Sequence, residues 1–120
     1  MKQWHDVASL EELEREGRVI ARVGGREIGV LVDRFTGTLR AVRNRCPHQG
    51  SALCRGKIRI REAAVAGTPG AYSLEERPVL RCPHHGWEFD LETGRCPEDA
   101  AMRVAVYPVK VVDGHVLVEA

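Results

Sequence analysis

Two short stretches carry the residues whose types and spacing point to chemistry, CPH at positions 46–48 and CPHHGW at positions 82–87. Each offers a thiolate and, two or three residues later, an imidazole. The four candidate ligands are Cys46, His48, Cys82 and His85. Thiolates suit ferric iron bridged by sulfide, whereas an iron held by neutral imidazoles is easier to reduce. Two Cys and two His therefore match a [2Fe–2S] cluster in which His replaces Cys on one iron, with tetrahedral zinc as the alternative.

The make-up of the two stretches favours the cluster over zinc. Zinc sites usually draw Cys–Cys and His–His pairs from single turns, whereas here each turn mixes the two ligand types. Pro47 and Pro83 follow the cysteines directly and fix φ, which stiffens both turns. Gly50 and Gly86 come soon after the histidines and let the backbone pass close to a bulky inorganic core.

These residues also carry a family resemblance. CPHQG at 46–50 and CPHHGWEFDLETG at 82–94 resemble the two cluster loops of Rieske-type ferredoxins and Rieske oxygenase domains, and the resemblance runs from Trp4 to Val118. It implies one Rieske [2Fe–2S] cluster, with Cys46 and Cys82 on one iron. His48 and His85 are implied on the other iron, binding through Nδ1. We expect the remaining histidine of the second loop, at position 84, to be an exposed residue beside the cluster.

The same comparison indicates the low-potential, oxygenase-associated subtype. High-potential members carry an extra Cys in each loop, at positions occupied here by Ser51 and His84, so their loop-to-loop disulfide cannot form. Their Ser and Tyr hydroxyls near the cluster are replaced by Trp87 and Phe89, which offer no O–H. Fewer hydrogen bonds to sulfur leave the reduced cluster less stabilised, and we expect a potential around −150 mV.

The composition of the chain bears on the number of domains, the kind of partner and the location of the protein. The chain has 120 residues, which fits a single domain, and a net charge of +1, which gives no sign of nucleic-acid binding. The N-terminal segment has no apolar run and nothing reaches membrane-spanning length, so we expect a cytoplasmic protein with reduced thiols. Cys54 and Cys96 are then expected to be free and packed near the cluster, with a disulfide between them as the alternative.

Turn and alternation signals predict an all-β, antiparallel fold with one short helix. Ser9 and Glu12 form a capping-box pattern for that helix, which should end near Gly17. Gly24-Gly25 and Asp113-Gly114 are hairpin turn signals. The predicted strands cover residues 4–8, 18–23, 27–32, 39–43, 57–61, 87–91, 103–112 and 115–119, with Pro108 at an edge or bulge of the seventh.

We interpret the architecture as a β-sandwich base with an inserted, smaller cluster-binding lobe, all within one domain. The base comprises residues 1–43 and 98–120, and the lobe comprises 44–97. In the lobe, 57–77 is expected to form an extended hairpin with a turn at 68–70 and a returning arm that ends at Pro78. This hairpin is either a solvated elaboration or a docking arm for a partner. Residues 96–99 resemble the proline-bearing loop that covers the cluster in this family.

Arginine is concentrated in or beside the lobe, at positions 43, 45, 55, 59, 61, 77, 81 and 95. A solvated surface is one explanation of this distribution. The other is a basic collar that steers an acidic redox partner toward the exposed histidine edge, which predicts electron-transfer rates that fall as salt rises.

A Rieske cluster moves one electron at a time, so we expect an electron-transfer component and not an enzyme. His5, His84 and His115 are too scattered to build a facial triad for oxygen chemistry, and no Gly-rich dinucleotide fingerprint is present. The leading hypothesis is a ferredoxin that passes electrons from a reductase to a terminal oxygenase or related enzyme. The alternatives are a small iron–sulfur subunit of a larger, nitrite-reductase-like complex, and a zinc-binding interaction module.

Overall fold

The computed structural model describes residues 2–47, 50–61, 77–84 and 86–120. These residues are mainly β, with one α-helix, α1 (Leu10–Glu16), and a 3₁₀ turn at Leu53–Arg55. The strands are β1 (Trp4–Ser9), β2 (Arg18–Val23), β3 (Arg26–Asp33), β4 (Thr38–Arg43), β5 (Lys57–Arg61), β6 (Arg77–Arg81), β7 (Glu88–Asp90), β8 (Arg95–Cys96), β9 (Asp99–Arg103), β10 (Val106–Tyr107), β11 (Val109–Val112) and β12 (His115–Glu119). No helix in this part of the chain is both long enough and apolar enough to cross a membrane.

Local signals place the helix and the tight turns as predicted. The Ser9 hydroxyl accepts a hydrogen bond of 3.0 Å from the Glu12 N–H, and this cap starts α1. Gly17 ends the helix in the left-handed conformation, at φ 81°. Positive φ at Gly24-Gly25 and at Asp113-Gly114 gives the two hairpin turns that join β2 to β3 and β11 to β12.

All strand pairs are antiparallel, which confirms the predicted fold class. The sheet β1-β12-β11 faces the sheet β10-β4-β3-β2, and residues from both sheets and from α1 enclose one apolar cluster. That cluster contains Leu13, Val23, Ile28, Val30, Ala41, Val116 and Val118. The sheet β5-β6-β7 and the hairpin β8–β9 complete the chain. The division into a base (1–43 and 98–120) and a lobe (44–97) stays a prediction.

A second apolar cluster contains Cys46 and Cys82, and strands β3 and β4 contribute to both clusters. Side chains alternate across a strand, so β3 places Val30 in the first cluster and Leu31 in the second. In the same way β4 places Ala41 in the first and Val42 in the second. The sheet that contains β3 and β4 is therefore a wall common to both clusters.

Two strand predictions are wrong. Residues 103–112 are not one strand, because the chain leaves β10, which pairs with β4, and at Pro108 enters β11, which pairs with β12 in another sheet. Pro78 does not end a returning arm but lies within β6, opposite Ile60. Its carbonyl accepts the Leu91 N–H at 3.2 Å, but proline has no N–H to return a second bond, and the β6–β7 ladder begins at Val79.

The hairpin predicted over 57–77 is described only at its base. Strands β5 and β6 pair in register from Lys57↔Arg81 to Arg61↔Arg77, which confirms strand 57–61 and its antiparallel partner. The turn predicted at 68–70 and most of the returning arm lie outside the described residues. Strand 87–91 is shorter than predicted, at Glu88–Asp90.

Candidate metal centre

The two candidate thiol ligands are buried in the same apolar cluster. Cys46 and Cys82 are 1% and 2% exposed, and both pack in the cluster that contains Leu53, Leu80 and Phe89. The structure therefore brings the two predicted thiolates to one apolar environment. The two candidate imidazoles, His48 and His85, lie outside the described residues, so their assignment as ligands stays a prediction.

The two cysteine loops close with the same backbone hydrogen bonds. The Cys46 N–H donates to the Ser51 carbonyl at 2.8 Å, and the Cys46 carbonyl accepts the Gly50 N–H at 2.7 Å. In the second loop the Cys82 N–H donates to the Trp87 carbonyl at 2.7 Å, and its carbonyl accepts the Gly86 N–H at 3.1 Å. Each cysteine thus begins a closed turn of the same size, and the backbone of the turn orients its thiol.

Each turn depends on a glycine and is flanked by an arginine. Gly50 and Gly86 have φ of 73° and 74°, which an L side chain adopts only with strain. A Cβ atom added at Gly50 would lie 3.6 Å from Nε of Arg45, and one added at Gly86 would lie 2.9 Å from Nη2 of Arg81. The signal in the sequence is the repeat RCPHxG at 45–50 and 81–86, whose arginines the sequence reasoning did not assign to the loops.

Asn44 organises the first loop, and sequence reasoning missed it. Its Oδ1 accepts the N–H of Cys54 at 2.8 Å, in a buried position, and its Nδ2 donates to Oε1 of Glu27 at 3.1 Å. The Asn44 backbone N–H also donates to the Glu27 carbonyl at 2.8 Å. One buried side chain therefore connects the strand before the Cys46 loop, the 3₁₀ turn after it and the start of β3.

Arg18 is the second residue that sequence reasoning missed. From β2 its Nη1 donates to the carbonyls of Cys54 at 2.5 Å and Gly56 at 2.7 Å. These contacts join β2 to the end of the first loop. They span more than thirty residues of sequence, so no local pattern signals them.

The other two cysteines are free and buried, as predicted, and the alternative of a disulfide is wrong. The Cys54 thiol donates to the Val42 carbonyl at 3.6 Å, and burial raises the pKa of this thiol to about 12. Burial and the hydrogen bond to Glu98, at 3.2 Å, raise the pKa of the Cys96 thiol. Both residues therefore stay protonated thiols near neutral pH and are poor metal ligands or nucleophiles.

The predicted arginine collar is partly neutralised within the molecule. Arg59 and Arg61 bind the Glu88 carboxylate at 3.2 and 2.7 Å, and Arg77 binds Asp90 at 2.6 Å. Burial disfavours the charge on Asp90, but hydrogen bonds from Arg77 and from two backbone N–H groups outweigh it and lower the Asp90 pKa. These three arginines therefore stabilise the sheet β5-β6-β7 and are not free to steer a partner.

Two further histidines are exposed, and for His84 this agrees with the prediction. His84 is exposed in the second loop. His115 is exposed on β12, with its Nδ1 2.9 Å from Oδ2 of Asp6 on β1. Among the described residues, which do not include His48 and His85, no group of three His, Cys, Asp or Glu side chains is arranged to hold a metal.

Fold and site together define a small antiparallel β protein that presents two matched cysteine turns from an apolar cluster. The chain belongs to the Rieske-like [2Fe-2S] domain family, which it matches over residues 3–119. The cofactor of this family is one [2Fe–2S] cluster, and the donor chemistry fits it, because two buried thiols in one apolar cluster suit ferric iron. Family membership removes the zinc alternative.

The chain is similar to whole ferredoxin subunits and to parts of larger proteins. It is 30% identical to oxidoreductase NdmD of Pseudomonas putida over 97% of this chain but only 18% of NdmD. It is also 30% identical to the anthranilate 1,2-dioxygenase ferredoxin subunit of Burkholderia cepacia, over 97% of this chain and 91% of that subunit. Among solved structures, Escherichia coli NirD superposes with a TM-score of 0.74 and 26% identity, over 100% of this chain and 98% of NirD.

Proposed function

We propose that this protein is a one-electron carrier that accepts an electron from a reductase and passes it to a terminal oxygenase or related enzyme. Cys46 and Cys82 would hold one iron of the cluster, and His48 and His85 would hold the other. The observation that carries the proposal is the pair of matched turns, each with a buried thiol at its start. The cluster supplies the one-electron chemistry when bound.

The surroundings of the thiols support a carrier with a low potential. Leu53, Leu80 and Phe89 pack beside the two cysteines and keep water from that side of the site. An apolar environment disfavours the additional negative charge that reduction brings. Trp87 and Phe89 add no hydroxyl donor, so this part of the chain offers little to stabilise the reduced state. The similarity to the ferredoxin subunit of anthranilate 1,2-dioxygenase supports a role as an electron carrier.

The proposal is tested by electron paramagnetic resonance of the dithionite-reduced protein, together with iron and sulfide analysis. We expect a Rieske signal with an average g value lowered by His ligation. Each of the variants C46S, C82S, H48Q and H85Q should abolish this signal or change its g values. The matched control is H84Q, which removes the neighbouring histidine of the same loop and should keep the signal. Stoichiometric zinc without iron, or a signal lost in H84Q and kept in H85Q, would refute the assignment.

A second candidate is a small iron–sulfur subunit that stays bound to a larger oxidoreductase. The superposition with NirD over nearly the full length of both chains favours it. Purification from the native host under low salt separates the two candidates. A stable complex with a large catalytic chain supports the subunit, and a monomeric carrier supports the ferredoxin.

A cytoplasmic location belongs to this proposal, because Cys54 and Cys96 are free thiols and a reducing compartment keeps them so. The proposed partners are redox proteins, without a nucleic-acid or membrane partner. Fractionation of the native host, followed by detection with an antibody, tests the location.

A further inference from the structure

Charged side chains line one face of the sheet β5-β6-β7. Lys57, Arg59 and Arg61 alternate along β5 with apolar residues, and Arg77 and Arg81 lie opposite Arg61 and Lys57 on β6. On β7 this face carries two carboxylates, Glu88 and Asp90, at register positions facing Arg81 and Val79. Cations therefore outnumber carboxylates on this face of the sheet.

The carboxylates neutralise only the cations distant from the second cysteine loop. Both oxygens of Glu88 are occupied, Oε2 by Arg59 and Oε1 by Arg61, although Arg81 is its direct neighbour on β6. The Asp90 carboxylate forms an ion pair with Arg77. Within the part of the chain that the structure describes, no carboxylate forms an ion pair with Lys57 or Arg81.

Folding alone does not account for this arrangement. Lys57 and Arg81 are direct partners across the β5–β6 ladder, and like charges at such positions destabilise a sheet. Both side chains are exposed, and Arg55 of the 3₁₀ turn lies exposed beside them. The three cations are therefore held together at a cost in stability, next to the cysteine loop.

The three cations converge on one surface cleft of about 590 Å³. Arg55, Gly56, Lys57 and Arg81 line one part of this cleft, and residues 82–84 and 86 of the second loop line the rest. No carboxylate is among these lining residues. A volume of this size is in the range of about 300–1,000 Å³ that holds a ligand group or several side chains.

We propose that this basic cleft docks an acidic segment of the redox partner protein, so that carboxylates of the partner neutralise Arg55, Lys57 and Arg81. The proposal rests on the proposed function, since it names the surface through which a carrier would meet its partner. Charge complementarity favours a carboxylate-bearing occupant, and the position of the cleft on the Cys82 loop would bring that partner close to the cluster. A free anion is the competing occupant and is an outcome of the test.

The test measures binding of a fluorescein-labelled hexaglutamate peptide to the holoprotein by fluorescence anisotropy. We expect K57Q and R55Q each to weaken binding about fivefold, the loss typical of one solvent-exposed charge contact. The matched control is R59Q, which removes one positive charge from the same strand and the same face, two residues from Lys57. Because Arg59 is already bound to Glu88, R59Q should change the affinity less than twofold. Arg81 is left intact because it also covers Gly86.

Three results would overturn the proposal. One is the absence of peptide binding at low salt, and another is an equal loss of affinity in R59Q and K57Q, which would indicate an effect of net charge alone. The third is displacement of the peptide by phosphate, but not by chloride, at the same ionic strength, which would identify a free-anion site. The resonance spectrum of each sample is recorded first. A normal cluster signal without peptide binding rejects the docking surface alone, whereas a missing signal rejects the proposed function.

Discussion

Replacing Asn44 by Ala tests whether one buried amide holds the first loop in place. The variant leaves the Cys54 N–H without an acceptor in a fully buried position, which costs about 1–3 kcal/mol. It also removes the partly buried hydrogen bond to Glu27, worth about 0.5–1.5 kcal/mol. We therefore expect N44A to lower the free energy of unfolding by about 2–4 kcal/mol, a large part of the total for a small domain.

The assay is urea unfolding of the holoprotein, followed by tryptophan fluorescence and by the visible absorbance of the cluster. With a slope of about 2 kcal/mol per molar urea, a loss of about 3 kcal/mol moves the midpoint down by about 1.5 M. The matched variant N44D keeps the acceptor for the Cys54 N–H but places a carboxylate beside that of Glu27. Its loss should be smaller than that of N44A and should shrink further as the pH falls, because protonating either carboxyl restores a donor. A midpoint for N44A within about 0.3 M of the wild type would refute this account of the loop.

Three other predictions concern the loops and the buried groups. G94A should lower Tm by clearly more than G37A, since both glycines have positive φ, of 78° and 74°, but only a Cβ at Gly94 would collide with backbone, at the carbonyl of Val104; equal losses in thermal scans would contradict this. The lowered pKa of Asp90 means that its bond with Arg77 contributes fully above the unfolded pKa of about 3.9 and is lost as the pH falls through the folded pKa. D90N should therefore be less stable at pH 7 yet lose less stability than the wild type between about pH 5 and 2, and parallel pH profiles from urea titrations would count against it. Cys54, with a pKa of about 12, should resist iodoacetamide at pH 8 until urea unfolds the chain, as peptide mass spectrometry can show, and rapid labelling of the folded protein would disprove its burial.

The parts of the fold that sequence predicted correctly are those fixed by neighbouring residues. The cap at Ser9 and the hairpin turns at Gly24-Gly25 and Asp113-Gly114 follow from local hydrogen bonding and from φ angles that few residues adopt. The change of sheet at Pro108 was missed, because it depends on which distant strands are available for pairing. A proline alone does not indicate whether a strand bulges or ends.

The same distinction applies to the site. The two CPH turns identify the thiols because ligand type and spacing are local properties, and the structure shows both thiols buried together. Arg18 and Asn44 were missed because their partners are far along the chain or have no pattern of their own. The neutralisation of Arg59, Arg61 and Arg77 was missed as well, since pairing with Glu88 and Asp90 requires the register of the sheet.

The wall formed by β3 and β4 has a consequence for cooperativity. Because Val30 and Leu31 of one strand face opposite apolar clusters, neither cluster can lose its packing without uncovering a surface of the other. Binding of the metal cofactor at one apolar cluster therefore also stabilises the packing of the other cluster, across the sheet. Holoprotein should unfold in one transition with simultaneous loss of the cofactor. In the apoprotein the folding equilibrium shifts toward the unfolded chain, so occupancy of the metal centre sets the stability of the whole fold.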